Sequence, residues 1–275
     1  MPPAEPRTVL RFDHVHLDFG EGPVLDDVSF RLLEGETCVI LGSAGSGKTV
    51  LLKTSLGLLR PSRGLVSVFD EDITRMKEEE LFTVRSRIGM LFQEGGLFDS
   101  LTIEENVSYP LLNQRNRRPL PGDTRARAEE ALRFVELEHT LEKFPSELSG
   151  GMRRRVGIAR AVVTEPELVL YDSPTAGLDP ITSYTIMSLI AKERDVRGVT
   201  AAIVTHRYQD GNVMAKFRYN PESGQLEPSH SAGGGREIRT RFMVLRDGRL
   251  VFDGTQQQLE AASDPYISRF VRRSV

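Results

Sequence analysis

Gly42-Ser43-Ala44-Gly45-Ser46-Gly47-Lys48-Thr49 fits the pattern G-x-x-x-x-G-K-[ST] of a phosphate-binding loop, or P-loop. The residues before it, Thr37-Cys38-Val39-Ile40-Leu41, form a short β-branched and apolar run that predicts a buried strand. After it, Val50, Leu51, Leu52, Leu56 and Leu59 recur at helical spacing. The motif therefore stands between a strand and a helix N-terminus, where its chemistry needs it. Its glycines let the backbone wrap a triphosphate with the N–H groups turned inward. The helix end adds positive partial charge. Lys48 is expected to reach the outer phosphates and the Thr49 hydroxyl to ligate magnesium. The expected nucleotide contacts run from Gly42 to Val50. A chance glycine-rich turn would lack this strand–loop–helix setting.

The chain has 275 residues, enough for one large α/β domain or two small ones. Its formal net charge of −3 gives no case for nucleic acid as main partner. Its one cysteine, Cys38, lies in the predicted core strand. That excludes an internal disulfide framework, argues against a zinc site and points to the cytosol. No apolar run is long enough to span a bilayer, and Met1-Pro2-Pro3-Ala4-Glu5-Pro6 lacks a signal pattern. Work at a membrane would have to be done from outside the hydrocarbon.

Residues 8–33 alternate apolar and polar, which predicts antiparallel strands around the turn Gly20-Glu21-Gly22-Pro23. Phe19, just before that turn, is either a hairpin core residue or a platform for an adenine ring. Strands are predicted over Leu65–Phe69 and Ile88–Phe92, and a helix over Lys77–Arg87. Gln93, leaving its strand, could cap a turn or place an amide beside magnesium and the attacking water. Residues 95–147 read as a helical insertion, with a capping box at Thr102-x-x-Glu105, a basic loop over Arg115–Pro121 and a helix capped by Asp123-Thr124. In Leu148-Ser149-Gly150-Gly151-Met152, Ser149 is an N-cap whose helix end makes a second anion site. Leu168-Val169-Leu170-Tyr171-Asp172 is an apolar strand ending in a carboxylate, as a magnesium site requires. Asp179-Pro180 starts a helix to about Arg194, and Ala201–Val204 is a strand that delivers Thr205-His206. Alternation at Val213, Ala215, Phe217 and Tyr219 predicts a strand, so 207–241 reads as a hairpin with a mobile tip near 229–236. A last hairpin over Phe242–Phe252, a capping box at Thr255-x-x-Gln258 and a short helix from Asp264-Pro265 complete the chain.

Together these residues resemble the ATP-binding-cassette (ABC) ATPases, over roughly 7–206 and 242–262. In that family's terms 42–49 is the Walker A loop, Gln93 the Q-loop, Leu148–Met152 the signature and Asp172 the end of Walker B. Ala176-Gly177-Leu178-Asp179 is the D-loop and His206 the switch histidine. Loop flavour in Gly89–Thr102, Asn106–Leu111, Pro145–Met152 and Asp264–Phe270 is similar to the ATPases of Mla/Mkl-type lipid transporters, which pair with MCE proteins.

The resemblance implies an α/β P-loop NTPase (RecA-like) core with an antiparallel β subdomain and an inserted α-helical subdomain. It implies one ABC ATPase domain over 7–262: core and β subdomain in 1–94 and 156–262, helical subdomain in 95–155, the 207–241 insertion, and a helical tail over 263–275. ATP and magnesium are the implied cofactors, with Thr49, Gln93 and Asp172 at the metal. Ser149, Gly150, Gly151 and Asp179 are implied to close on the nucleotide from a second cassette, most simply an identical one. A permease would dock in the groove near Gln93–Phe98, against Leu97 and Phe98, with an MCE-type substrate-binding protein indirectly associated. The implied location is cytoplasmic, peripheral on the inner face of the cell membrane.

Two departures stand out. The family has a Glu directly after the Walker B Asp as general base; here that residue is Ser173. A serine takes no proton at pH 7, so hydrolysis is slow, or Glu94 substitutes, or the chain is an ATP-held regulatory clamp. In 207–241 the family usually has a helical segment, with Asp after the His; here Arg207 follows His206.

Overall fold

A computed structural model describes residues 6–113, 123–229 and 239–272. The chain opens with the long strands β1 (Thr8–Asp18) and β2 (Pro23–Leu33), then β3 (Thr37–Leu41) and α1 (Lys48–Ser55). Next come β4 (Arg63–Val68), β5 (Glu71–Asp72), α2 (Glu78–Arg85) and β6 (Ile88–Leu91). The helical part is α3 (Ile103–Leu112), α4 (Asp123–Phe134) and α5 (Gly150–Val162). There follow β7 (Leu168–Asp172), α6 (Pro180–Arg197), β8 (Thr200–Thr205) and α7 (Tyr208–Lys216). The chain closes with β9 (Phe217–Asn220), β10 (Gln225–Pro228), β11 (Thr240–Arg246), β12 (Arg249–Gly254), α8 (Gln256–Glu260) and α9 (Pro265–Arg272).

The central sheet has the order β12-β11-β3-β8-β7-β6, parallel except for the β11–β12 hairpin. Every residue of β3, β7 and β8 is buried, as a parallel sheet covered on both faces demands. Side chains alternate between those faces. Val39 and Leu41 join a core with Tyr171, Ile203 and the helical part, while Cys38 and Ile40 join one with Leu170, Val204 and β1, β2 and β4. The second sheet, β2-β1-β4-β5, is antiparallel. The strands predicted in 8–33 are thus two, β1 and β2, whose pairing carries register shifts at Thr8/Leu10, Phe12/Val15, Val15/Leu17 and Leu17/Asp18.

Local chemistry sets the helix starts. Thr102 and Thr255 head capping boxes, Ser149 Oγ accepts from Met152 N, and Asp179 accepts from Ile181 N and Thr182 N ahead of Pro180. The expected strand through 213–219 is overturned in its first half. Residues 208–216 are helical, because Tyr208, Gly211 and Met214 bury one helical face toward β3 and β11. A Cβ at Gly211 would come within 2.5 Å of the Phe242 ring, so only glycine lets α7 approach this closely. A helical segment therefore does follow His206. The hairpin is real but shorter, β9 to β10 across the turn at 221–224. The predicted tip near 229–236, apart from Ser229, and the basic loop Arg115–Pro121 lie outside the described residues.

On α6, the buried Glu193 is paired with Arg197 at 3.5 Å, and its Oε2 has no hydrogen-bond partner among the described residues. Burial pushes its pKa from 4.5 to about 7, partly opposed by Arg197. The folded value lies above the unfolded one, so the native state holds the extra proton between those values. Stability from this group is full below pH 4.5 and is lost as pH rises through 7. Glu193→Gln should therefore raise stability at pH 8 by about 2–3 kcal/mol and flatten its fall between pH 5 and 8. Urea melts across that range check this; an unchanged pH profile would refute it.

Candidate functional site

The carboxyl ends of β3, β6, β7 and β8 converge, the usual ligand position on an open parallel sheet. Pairing aligns Leu41 with Thr205 and Asp172 with Val204, so the P-loop, Asp172, Ser173 and His206 leave the sheet side by side. They border a cleft of about 960 Å³ lined by Ser43–Val50, Gln93, Ser173, His206 and Arg207. Gly47 takes φ +101°, and a Cβ there would sit 2.7 Å from the Val24 carbonyl. Only glycine fits at that point.

Lys48 Nζ donates to the Gly42 carbonyl at 2.9 Å and the Ser43 carbonyl at 2.7 Å, and lies 3.3 Å from Ser46 Oγ. Burial pulls its pKa down, with Asp172 opposing. Thr49 Oγ1 donates to Asp172 Oδ2 at 2.9 Å, and Ser173 Oγ to Asp172 Oδ1 at 3.1 Å. Asp172 is 3 % exposed. A hydroxyl and a buried carboxylate in contact, with the Gln93 amide on the same cleft, are hard oxygen donors that fit magnesium. Ser173 has φ +49°, and its N–H donates to the Val204 carbonyl at 2.8 Å.

The predicted site residues divide. Ser43–Val50, Gln93, Ser173 and His206 share the cleft, with Gly42 and Asp172 at its base. Ser149, Gly150, Gly151 and Asp179 border a separate cavity of about 610 Å³ with Thr182, so within one chain the two sets do not meet. A Cβ on Gly151 would stand 2.6 Å from Thr182 Cγ2, which is why the signature helix can press against α6. Phe19 is 60 % exposed, which excludes the core reading, and it lies outside the cleft lining. Glu94 is exposed and also outside that lining, which weakens it as a substitute base.

Sequence reasoning missed three contributors. Asp210 is buried and accepts from Thr175 Oγ1 and Thr205 Oγ1, each at 2.7 Å, tying the loop after Ser173 to β8. Burial raises its pKa against those bonds. Tyr266 on α9 lies over the P-loop: its hydroxyl accepts from Ser43 N at 3.3 Å, is 3.1 Å from Ser43 Oγ, and donates to the Leu245 carbonyl at 3.0 Å. Arg269 from the same helix joins the cleft lining. The sequence signals for Tyr266 and Arg269 were Asp264-Pro265 as a helix start and the family resemblance of Asp264–Phe270, neither of which placed them at the P-loop.

A family model described as ABC transporter matches residues 25–176. The chain belongs to the ABC transporter family. Methionine import ATP-binding protein MetN of Bifidobacterium longum is 34% identical over 271 residues, 96% of this chain and 61% of that protein. The "Probable ribonucleotide transport ATP-binding protein mkl" of Mycobacterium leprae is 39% identical over 188 residues, 68% of this chain and 54% of that one. The chain thus spans little more than half the length of these two ABC relatives. Intermembrane phospholipid transport system ATP-binding protein MlaF of Haemophilus influenzae is 31% identical over 254 residues, 92% of this chain and 86% of that protein. Among solved ABC structures, the dimeric post-hydrolysis cassette MJ0796 bound to ADP and Pi aligns with TM-score 0.74 at 30% identity, covering 90% of this chain and 98% of that one. The P-loop core, antiparallel β sheet and helical part are the fold expected from sequence.

Proposed function

We propose that this chain is the ATP-binding and ATP-hydrolysing subunit that energises a lipid-carrying ABC transporter. The observation that carries the nucleotide reading is the contact of Thr49 with Asp172 at the mouth of the Lys48 loop. Magnesium, when bound, would neutralise phosphate charge between Thr49, Asp172 and Gln93. The chain's own residues do the rest. The P-loop N–H groups and Lys48 hold the phosphates, Gln93 and His206 face their outer end, and exposed Phe19 offers a face for the base. Ser149, Gly150 and Gly151 border a different cavity, so they can close on nucleotide only from a second cassette, head to tail about a two-fold axis.

For the permease, Phe92 and Phe98 are exposed beside Gln93, with the Phe98 ring 4.7 Å from that of Tyr109. That apolar patch suits a coupling helix that follows opening and closure of the pair. Among the described residues no helix is long and apolar enough to cross a membrane, which suits a peripheral subunit on the inner membrane face. The lipid assignment rests on loop similarity, and a phospholipid-transport relative that is 31% identical over 92% of this chain supports it. An MCE-type protein would then be an indirect partner. Affinity purification of the tagged chain from its native membranes tests this. The expected result is an integral-membrane subunit with an MCE-type protein and bound phospholipid by mass spectrometry. A methionine- or nucleotide-binding partner without lipid would overturn the lipid reading. Ser173 favours one second reading, a hydrolysis-impaired cassette acting as an ATP-held clamp with a partner cassette.

A further inference from the structure

Among the described residues the cleft lining carries three cations, Lys48, Arg207 and Arg269, and no carboxylate; the nearest, Asp172, is buried at its base and bonded to the Thr49 and Ser173 hydroxyls. Lys48 belongs to the loop. Arg269 is committed to α9, its guanidinium 3.9 Å from the centre of the Tyr266 ring. Arg207 has no such account, yet it is the most firmly built in. Its N–H donates to Thr205 Oγ1 at 3.1 Å, and its Nη1 donates to Ser183 Oγ at 2.7 Å and to the Thr175 carbonyl at 3.5 Å. Its Nε stands 3.9 Å from Asp210 Oδ1.

Asp210 does not neutralise the cleft. Its Oδ2 is taken by the Thr175 and Thr205 hydroxyls, and the group is 2 % exposed, whereas the Arg207 side chain keeps 25 % of its surface. The carboxylate therefore serves as an anchor behind the guanidinium. It ties together the segment after Ser173, the end of β8 and the start of α7. Arg207 is held on the wall it shares with Ser173 and His206, and the neighbouring position 173 has no negative charge to pair with it. A wall with a fixed guanidinium and no carboxylate at position 173 attracts an anion better than it activates water.

We propose that Arg207 contacts the terminal phosphate end of bound ATP and makes this site favour the triphosphate over the diphosphate. The inference rests on the nucleotide-site reading above. Its test is the affinity for MgATP and MgADP, at low protein concentration and fixed ionic strength, of the wild type, Arg207→Gln, Arg207→Lys and Lys48→Ala. Arg207→Gln should lower the ATP-to-ADP preference about tenfold, the size of one charge-assisted contact, and Arg207→Lys should restore most of it. A purely structural role for Arg207 would weaken both nucleotides together and leave the ratio unchanged, which would overturn the proposal. If Lys48→Ala leaves affinity intact, the site reading itself fails. Should Arg207→Gln not fold, Ser183→Ala releases the same guanidinium. A reduced preference then supports the proposal and an unchanged one refutes it.

Discussion

Lys48→Ala should reduce triphosphate affinity by at least about 100-fold, equivalent to about 2.7 kcal/mol. The ammonium sits inside the loop, within reach of two carbonyls and a hydroxyl, with its pKa drawn down by burial. A cation held in this way already bears its desolvation cost, so a phosphate meeting it gains a charge-assisted contact of about 1.5–3 kcal/mol. Alanine removes that contact and leaves the loop itself without a cation, since Arg207 and Arg269 come from other elements of the cleft wall. Calorimetric titration with MgATP measures the loss. Thermal melting without nucleotide separates it from damage to the loop. Near wild-type affinity would refute the site assignment.

The parts legible in the sequence are those whose signal is local. β3, β7 and β8 are continuous apolar runs, and Thr102, Ser149, Asp179 and Thr255 each cap a helix through their own neighbours. The error at 213–219 arose where a helix meets a strand at Lys216–Phe217. Alternation across that junction imitates one strand, and only the packing of Gly211 on Phe242 decides the helix. The unread parts of the site depend on distant segments. Tyr266 meets Ser43 across 223 positions, and Asp210 meets Thr175 across 35. No periodicity encodes such pairs. The sequence did expose the departure at 207, but only the fold reveals that Asp210, four residues beyond His206, restores a carboxylate behind the wall.

Ser173→Glu should raise the basal ATPase rate by at least about tenfold, a floor beneath the 10²–10⁴ expected of a positioned base. Position 173 follows Asp172 at the end of a buried strand, and its N–H is fixed on the Val204 carbonyl. Its left-handed backbone, at φ +49°, is already adopted by a residue with a Cβ, so glutamate adds little new backbone strain. The exchange gives up the Ser173–Asp172 hydrogen bond and sets a second carboxylate beside Asp172. Like charges in contact raise a carboxyl's pKa, while Lys48 and Arg207 on the same cleft oppose that shift. A glutamate there is therefore ionised but not strongly acidic, which suits a proton acceptor near neutral pH. Gln93 and His206 already face the cleft, so only the acceptor is missing. The wild type should correspondingly form a long-lived ATP-dependent dimer by light scattering, and Ser173→Glu should shorten its lifetime. No gain in rate with intact ATP binding would mean that another group serves as base. Glu94→Gln in the wild type then decides: a large loss would make Glu94 that base despite its exposed position, and no loss would leave the clamp as the working description of this cassette.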